Sequence, residues 1–152
     1  MKRMKRRRRR SREAGISVIE VVMLTPLVIG FVMLIVCFGI LVDARANVQG
    51  AARDAARSGS LEHDSRAAKD AATQAAVDDG IADTCNGGWS LSEQEVDPDT
   101  HATTDMFAPG QLYIVQISCT VDLNGLNWFG LPQSTFVIEA TAPLDIFRRS
   151  TQ

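Results

Sequence analysis

The residues of this chain that could do chemistry are two histidines, three cysteines and a scatter of carboxylates, and their spacing rules out most of what such residues do. His63 and His101 stand apart: there is no HExxH pair, no Cys/His set at metal-ligand spacing, no glycine-rich phosphate loop and no GxSxG elbow. The expectation is a protein that is not an enzyme and needs no cofactor. Glu93, Glu95, Asp97, Asp99 and Asp105 could offer hard oxygen ligands to Ca²⁺. Their spacing is not that of an EF-hand, so a solvated acidic loop is the better account. One carboxylate is out of place. Glu20 stands immediately before an apolar run, and a carboxylate at the edge of hydrocarbon costs free energy unless it finds a partner.

That run organises the chain. From Val21 to Val42 there is no charged residue, and the interruptions are Thr25, Pro26, Gly30, Cys37 and Gly39. As a helix it would be about 33 Å long, against a hydrocarbon core of about 30 Å. A soluble domain of this size has little room to surround a helix that is apolar on every face, so the run predicts a transmembrane span. Pro26 should bend it near its start, and Gly30 and Gly39 leave flat spots for a neighbouring helix. A cleavable secretory signal is the competing reading, but the run is long for one and Val42-Asp43-Ala44-Arg45-Ala46 is a poor cleavage site.

The formal net charge of −2 hides a segregation. Lys2, Arg3, Lys5, Arg6 to Arg10 and Arg12 precede the span, whereas the part after residue 42 carries sixteen Asp and Glu against seven Lys and Arg. Residues 1–12 alone could be a nucleic-acid arm. Beside a span they are better read as a topology determinant lying against anionic lipid, with the N-terminus cytoplasmic and the acidic part outside. The acidic part has no electrostatic reason to bind nucleic acid. Outside the cytoplasm thiols can oxidise, so Cys85 and Cys119 make one plausible pair, and Cys37 in the span reads as a small apolar residue.

Leu41, Ala44, Val48, Ala51 and Ala55 keep helical spacing beyond the membrane, which predicts a stalk. Ser58-Gly59-Ser60 is expected to interrupt it, with Gly59 ending one helix and Ser60 capping the next. A second helix is predicted over 61–79, with Ala67, Ala68, Ala71, Ala72, Ala75 and Ala76 on one face and Gly80 at its end. The stripe implies close packing, or helix propensity alone. Asn86-Gly87-Gly88 marks a turn, Trp89–Val96 a weak strand and 97–110 a loop. The best strand is 111–123, with Tyr113, Val115, Ile117, Cys119, Val121 and Leu123 on its core face. It should pair antiparallel with 134–142, in which Phe136, Ile138 and Ala140 alternate with Val137, Glu139 and Thr141. Leu126, Trp128, Phe129 and Leu131 crowd the connection between them, either folding back over the sheet or forming an exposed apolar tip.

The stretch Gly15-Ile16-Ser17-Val18-Ile19-Glu20, between a basic leader and an apolar run, resembles the processing site of type IV prepilins. There a basic leader ends in Gly, a prepilin peptidase cuts after it, and Glu is the fifth residue of the product. With Pro26 and the stalk Ala51-Ala52-Arg53-Asp54-Ala55-Ala56-Arg57, the chain resembles the TadE/TadG-like pseudopilins of tight-adherence (Flp) pilus machinery. The resemblance implies processing between Gly15 and Ile16, a role for Glu20 in assembly, and a minor pilin or pseudopilin. Its partners would be the prepilin peptidase, other pilin or pseudopilin subunits and an inner-membrane pilus platform. The rival expectation is a signal-anchored extracytoplasmic binding domain unrelated to pili.

The expected architecture is α+β and pilin-like: a long N-terminal transmembrane-and-stalk helix, a second helix and a small antiparallel sheet. In residue terms it is a basic cytoplasmic leader over 1–15, a transmembrane helix over 16–42, a helical stalk over 43–80 and an extracytoplasmic antiparallel β domain over 81–152.

Overall fold

A computed structural model describes residues 10–104, 107–123 and 133–147, with side chains from residue 19 onward. The architecture is α+β, as the periodicities require. Helix α1 spans Arg10–Leu61, α2 Ser65–Asp78 and the short α3 Ile81–Thr84. Strands β1 (Trp89–Val96), β2 (Thr103–Thr104), β3 (Leu112–Asp122) and β4 (Gln133–Pro143) form one antiparallel sheet in the order β2-β1-β3-β4. The chain divides into two compact units, Met1–Ile40 and Leu41–Gln152.

In the second unit the core is built from small residues on the helices and larger ones on the sheet. Ala44, Val48, Ala51, Ala52, Ala55 and Ala56 of α1 are buried, as are Ala68, Ala72 and Ala76 of α2. Facing inward from β3 are Tyr113, Val115, Ile117, Cys119 and Val121, and from β4 Phe136, Ala140 and Ala142. The period-2 alternation of β3 is complete from end to end. Two contacts fix α1 along the sheet: Arg45 lies over the Phe136 ring, 5.4 Å from its centroid, and Gly59 lies against the Tyr113 ring. The alanine stripe of α2 is used for close packing. The Ser58 hydroxyl oxygen lies 3.3 Å from the Ala71 carbonyl oxygen, so α1 and α2 approach closely at that turn.

The Ser58-Gly59-Ser60 expectation is corrected: α1 runs through it to Leu61, and α2 begins at Ser65 after Asp64. Both serines turn their hydroxyls back onto their own helix, Ser58 to the Ala55 carbonyl at 3.0 Å and Ser60 to the Arg57 carbonyl at 2.8 Å. Gly59 is there for space. A Cβ at this position would overlap Cε1 of Tyr113 and come within 3.0 Å of the Ala68 carbonyl oxygen. Gly80 does end α2, in the left-handed conformation at φ 74°, with the Asp79 and Gly80 amides bonding back to Ala75 and Val77.

The expected loop 97–110 contains β2, which pairs Thr103 and Thr104 with Val96 and Glu95. β1 therefore has neighbours on both sides over its last two residues, and its register with β3 runs from Trp89 opposite Cys119 to Val96 opposite Leu112. Cys85 and Cys119 are joined by a disulfide that ties the turn after α3 to the middle of β3. At a sequence separation of 34, the chain-entropy model gives this bond about 3–4 kcal/mol of stabilisation. Asp105 and the apolar connection carrying Leu126, Trp128, Phe129 and Leu131 lie outside the described residues.

Candidate processing and assembly segment

Glu20 and the apolar residues after it are held on α1, which begins before Gly15 and passes through Pro26 without a break. Thr25 Oγ1 donates to the Val21 carbonyl at 2.7 Å, so its hydroxyl is satisfied inside the helix. Gly15 and Ile16 both lie within the helical backbone of α1. Ile16 precedes Glu20 by four residues, one turn of helix and about 6 Å of axial rise.

The side chains from Ile19 to Val42 face outward almost without exception: Met23 is 76% and Leu27 70% exposed. The core helix of a soluble protein buries such residues, so this segment is not one. By length and composition it can cross a bilayer once. A Cβ added at Gly30 or at Gly39 would meet nothing within 4 Å, so both glycines leave the helix surface open. Cys37 is a free, buried cysteine.

In the second unit the carboxylates singled out by the sequence are dispersed over separate tasks. Glu93 accepts a hydrogen bond from the Tyr113 hydroxyl at 2.8 Å and pairs with Lys69 at 3.6 Å. Burial, and then the Glu93 acceptor, push the Tyr113 hydroxyl well above the ordinary phenol range. Glu95 is buried and accepts from the Ser65 hydroxyl at 3.4 Å, at the start of α2. Asp97 accepts from the backbone amides of Asp99 and Thr100 at 2.8 and 3.1 Å, and the Thr100 and Asp99 amides hold its carboxyl below the usual range. Among the described residues no group of three or more His, Cys, Asp or Glu is arranged to hold a metal ion. His63 and His101 are both exposed.

The remaining electrostatic feature is a carboxylate pair. Asp79 follows α2 and meets Asp54 of α1; desolvation, and then the Asp54 charge, raise its carboxyl above the ordinary value. Neither this pair nor the Tyr113–Glu93–Lys69 chain is visible as a sequence motif. Both arise from which turn of α1 meets α2 and from the β1/β3 register, and these are tertiary facts.

Helix α1 thus carries Gly15, then Glu20 five residues later, then an exposed apolar segment, and continues into the packed second unit. Residues 15–57 match the family of TadE-like proteins. Neither a curated protein nor a solved structure matches the chain. The TadE-like stretch starts at Gly15, takes in Glu20 and Pro26, and ends at Arg57, one turn before α1 does; α2 and the sheet lie outside it. The match is consistent with a TadE-like pseudopilin.

The face of the stalk that carries Ala44, Val48, Ala51 and Ala55 is buried inside its own domain, and the outer face of the stalk and the exposed surface of the span remain open to partners.

Proposed function

We propose that this protein is a minor pilin or pseudopilin, a non-enzymatic, single-pass membrane subunit for assembly of a tight-adherence pilus. The observation that carries the proposal is the TadE-like match over the segment where Gly15, Glu20 and an outward-facing apolar helix follow one another. The basic leader stays in the cytoplasm, and residues 43–152 lie on the other side of the membrane. A prepilin peptidase cuts between Gly15 and Ile16. The cut removes the basic leader and leaves an ammonium on Ile16, one turn from Glu20. That ammonium and the Glu20 carboxylate of an adjacent subunit neutralise each other at low dielectric, and the pair holds the span against other pilin subunits and the inner-membrane platform.

The test is the N-terminal residue of the protein isolated from its native membrane. Ile16 is expected in the wild type and Met1, or the residue after it, in Gly15→Leu. A chain that starts upstream of Ile16 in the wild type sinks the processing claim. For topology, a reporter active only in the cytoplasm and fused after Gln152 should stay silent.

A further inference from the structure

Resting on the reading of residues 43–152 as the part outside the membrane, we infer that the second unit touches the bilayer a second time, where β3 ends and β4 begins. The partner is phospholipid, met in the headgroup layer around the chain's own span.

Two contacts set the direction of the strands along the stalk. Arg45 lies over Phe136, near the start of β4, and Gly59 lies against Tyr113, whose partner across the sheet is Ala142. From Phe136 to Ala142 a strand advances about 20 Å, and from Arg45 to Gly59 a helix rises about 21 Å. The lengths agree, so β4 runs beside α1, in the same direction and with little tilt. All of these residues belong to the second unit.

The same arithmetic places the strand ends. Going back along β4 from Phe136 to Gln133 covers about 10 Å, whereas going back along α1 from Arg45 to Val42 covers about 4.5 Å. A helical side chain leans toward the N-terminus of its helix, so the Arg45 contact is not displaced away from the membrane. Gln133 and its cross-strand partner Asp122 therefore reach the level of Val42, the last residue of the uncharged run. The headgroup layer is about 5–8 Å thick on each side of the hydrocarbon, so Arg45 and both strand ends fall within it.

The chemistry changes at that end. After residue 42 the chain carries sixteen Asp and Glu and seven Lys and Arg, yet none of these occurs from Leu123 to Ile138. Residues 124–132 lie outside the described residues, but the chain on either side of them is placed, at Leu123 and Gln133. Their sequence sets Leu126, Trp128, Phe129 and Leu131 among Asn and Gly, a composition suited to the membrane boundary. The other end of the sheet is acidic instead: Glu93, Glu95, Asp97 and Asp99 lie at and after the end of β1, and Asp145 follows β4. Asp122 is the one carboxylate on the two strand ends near the bilayer. In a headgroup layer it costs far less than in hydrocarbon. The span and the strand ends together give the β domain two supports on one bilayer, which fix its rotation about the stalk.

The test uses the full-length chain with Cys37→Ala and its Cys85–Cys119 bond intact, in vesicles of phosphatidylethanolamine and phosphatidylglycerol. A nitroxide is attached in turn at Gln133→Cys, Thr141→Cys and Val32→Cys, all exposed positions. Its collisions with molecular oxygen, which concentrates in lipid, are compared with those of a water-soluble nickel chelate. The labels at Gln133 and Val32 should favour oxygen, and the label at Thr141 should favour nickel. Nickel access at Gln133 equal to that at Thr141 overturns the inference. Protection of Gln133 from both reagents overturns it as well, because the cover is then protein. Oxygen at Val32 with nickel at Gln133 leaves the span in the membrane and removes only the second contact, whereas nickel at Val32 removes both readings. Trp128→Ser with Phe129→Ser gives a second readout: the Gln133 label should shift from oxygen to nickel while the Val32 label stays in lipid. A Gln133 label that does not shift counts against the inference.

Discussion

Gly59 and Tyr113 are in contact across the helix–sheet interface, and the contact requires a residue without a side chain. A Cβ on Gly59 would overlap the Tyr113 ring, with Cζ at 2.9 Å, and would press on the Ala68 carbonyl oxygen at 3.0 Å. Tyr113 is fully buried, and its hydroxyl is committed to Glu93, so the ring has no easy retreat. Gly59→Ala should therefore lower stability by about 1–3 kcal/mol through overpacking. Gly50, in the same helix, has open space around it, and Gly50→Ala should raise stability by about 0.5–1 kcal/mol from helix propensity alone. Denaturant unfolding of the two variants in detergent decides the matter. If both change in the same direction, the close approach at Gly59 is not what holds that glycine in place.

Tyr113 is the chain's one tyrosine, so its titration can be read directly by ultraviolet absorbance. Burial and the Glu93 carboxylate hold the folded-state pKa above the unfolded value of about 10. A raised folded pKa stabilises the fold below the unfolded pKa, and that contribution is lost as pH rises above it. Tyrosinate absorbance should thus appear only together with loss of the folded circular-dichroism signal. A reversible titration near pH 10 in the folded protein would show that the hydroxyl is not held as described. Tyr113→Phe should cost about 1.5–3 kcal/mol, the range for hydrogen bonds to a charged partner.

Asp79 gives a second pH test, because desolvation and then the Asp54 charge raise its pKa. Desolvation and the Asp54 carboxylate favour its protonated form in the folded state. The sign follows: the fold is favoured while Asp79 is protonated and loses that advantage as pH rises through the folded pKa. Asp79→Asn should raise the melting temperature at pH 7, and the gain should shrink as the pH is lowered and the wild-type carboxyl takes up its proton. A loss of stability at pH 7 would mean that the charged Asp79 makes a favourable contact.

What could be read from the sequence was what local pattern dictates. β3 alternates without fault because one face is covered by helices, and Gly80 ends α2 because the left-handed conformation there suits glycine. Trp89–Val96 was legible from β-formers after a turn, yet its place inside the sheet was not, since β2 has only two residues and makes no pattern of its own. Ser58-Gly59-Ser60 misled because the same residue types cap helices and permit close helix–sheet contact; which use applies depends on Tyr113, distant in sequence. The stalk alanines carried a similar ambiguity. Their spacing shows that a face is buried, but not whether the cover comes from the same chain. At the membrane end the sequence was more informative, because a lone carboxylate before twenty-two uncharged residues stands out without any tertiary knowledge.

Glu20 is the residue on which the assembly proposal turns. It is exposed on α1, at the boundary of a helix whose following side chains are apolar and outward-facing, where a carboxylate is costly unless a counter-charge meets it. A glutamate that merely sat among lipid headgroups would be replaceable by any small polar residue. One that meets the new ammonium of an adjacent subunit is not, because removing it leaves that ammonium at the membrane boundary without a counter-charge. Glu20→Ala should therefore still be cut after Gly15 and still enter the membrane, but lose co-purification with other pilin subunits. Glu20→Gln should behave like Glu20→Ala if charge is what matters, and like the wild type if a hydrogen bond suffices. Gly15→Leu should stop at the earlier step, with the uncut chain in the membrane. Normal filament formation and partner recovery by Glu20→Ala would remove this residue from the assembly mechanism.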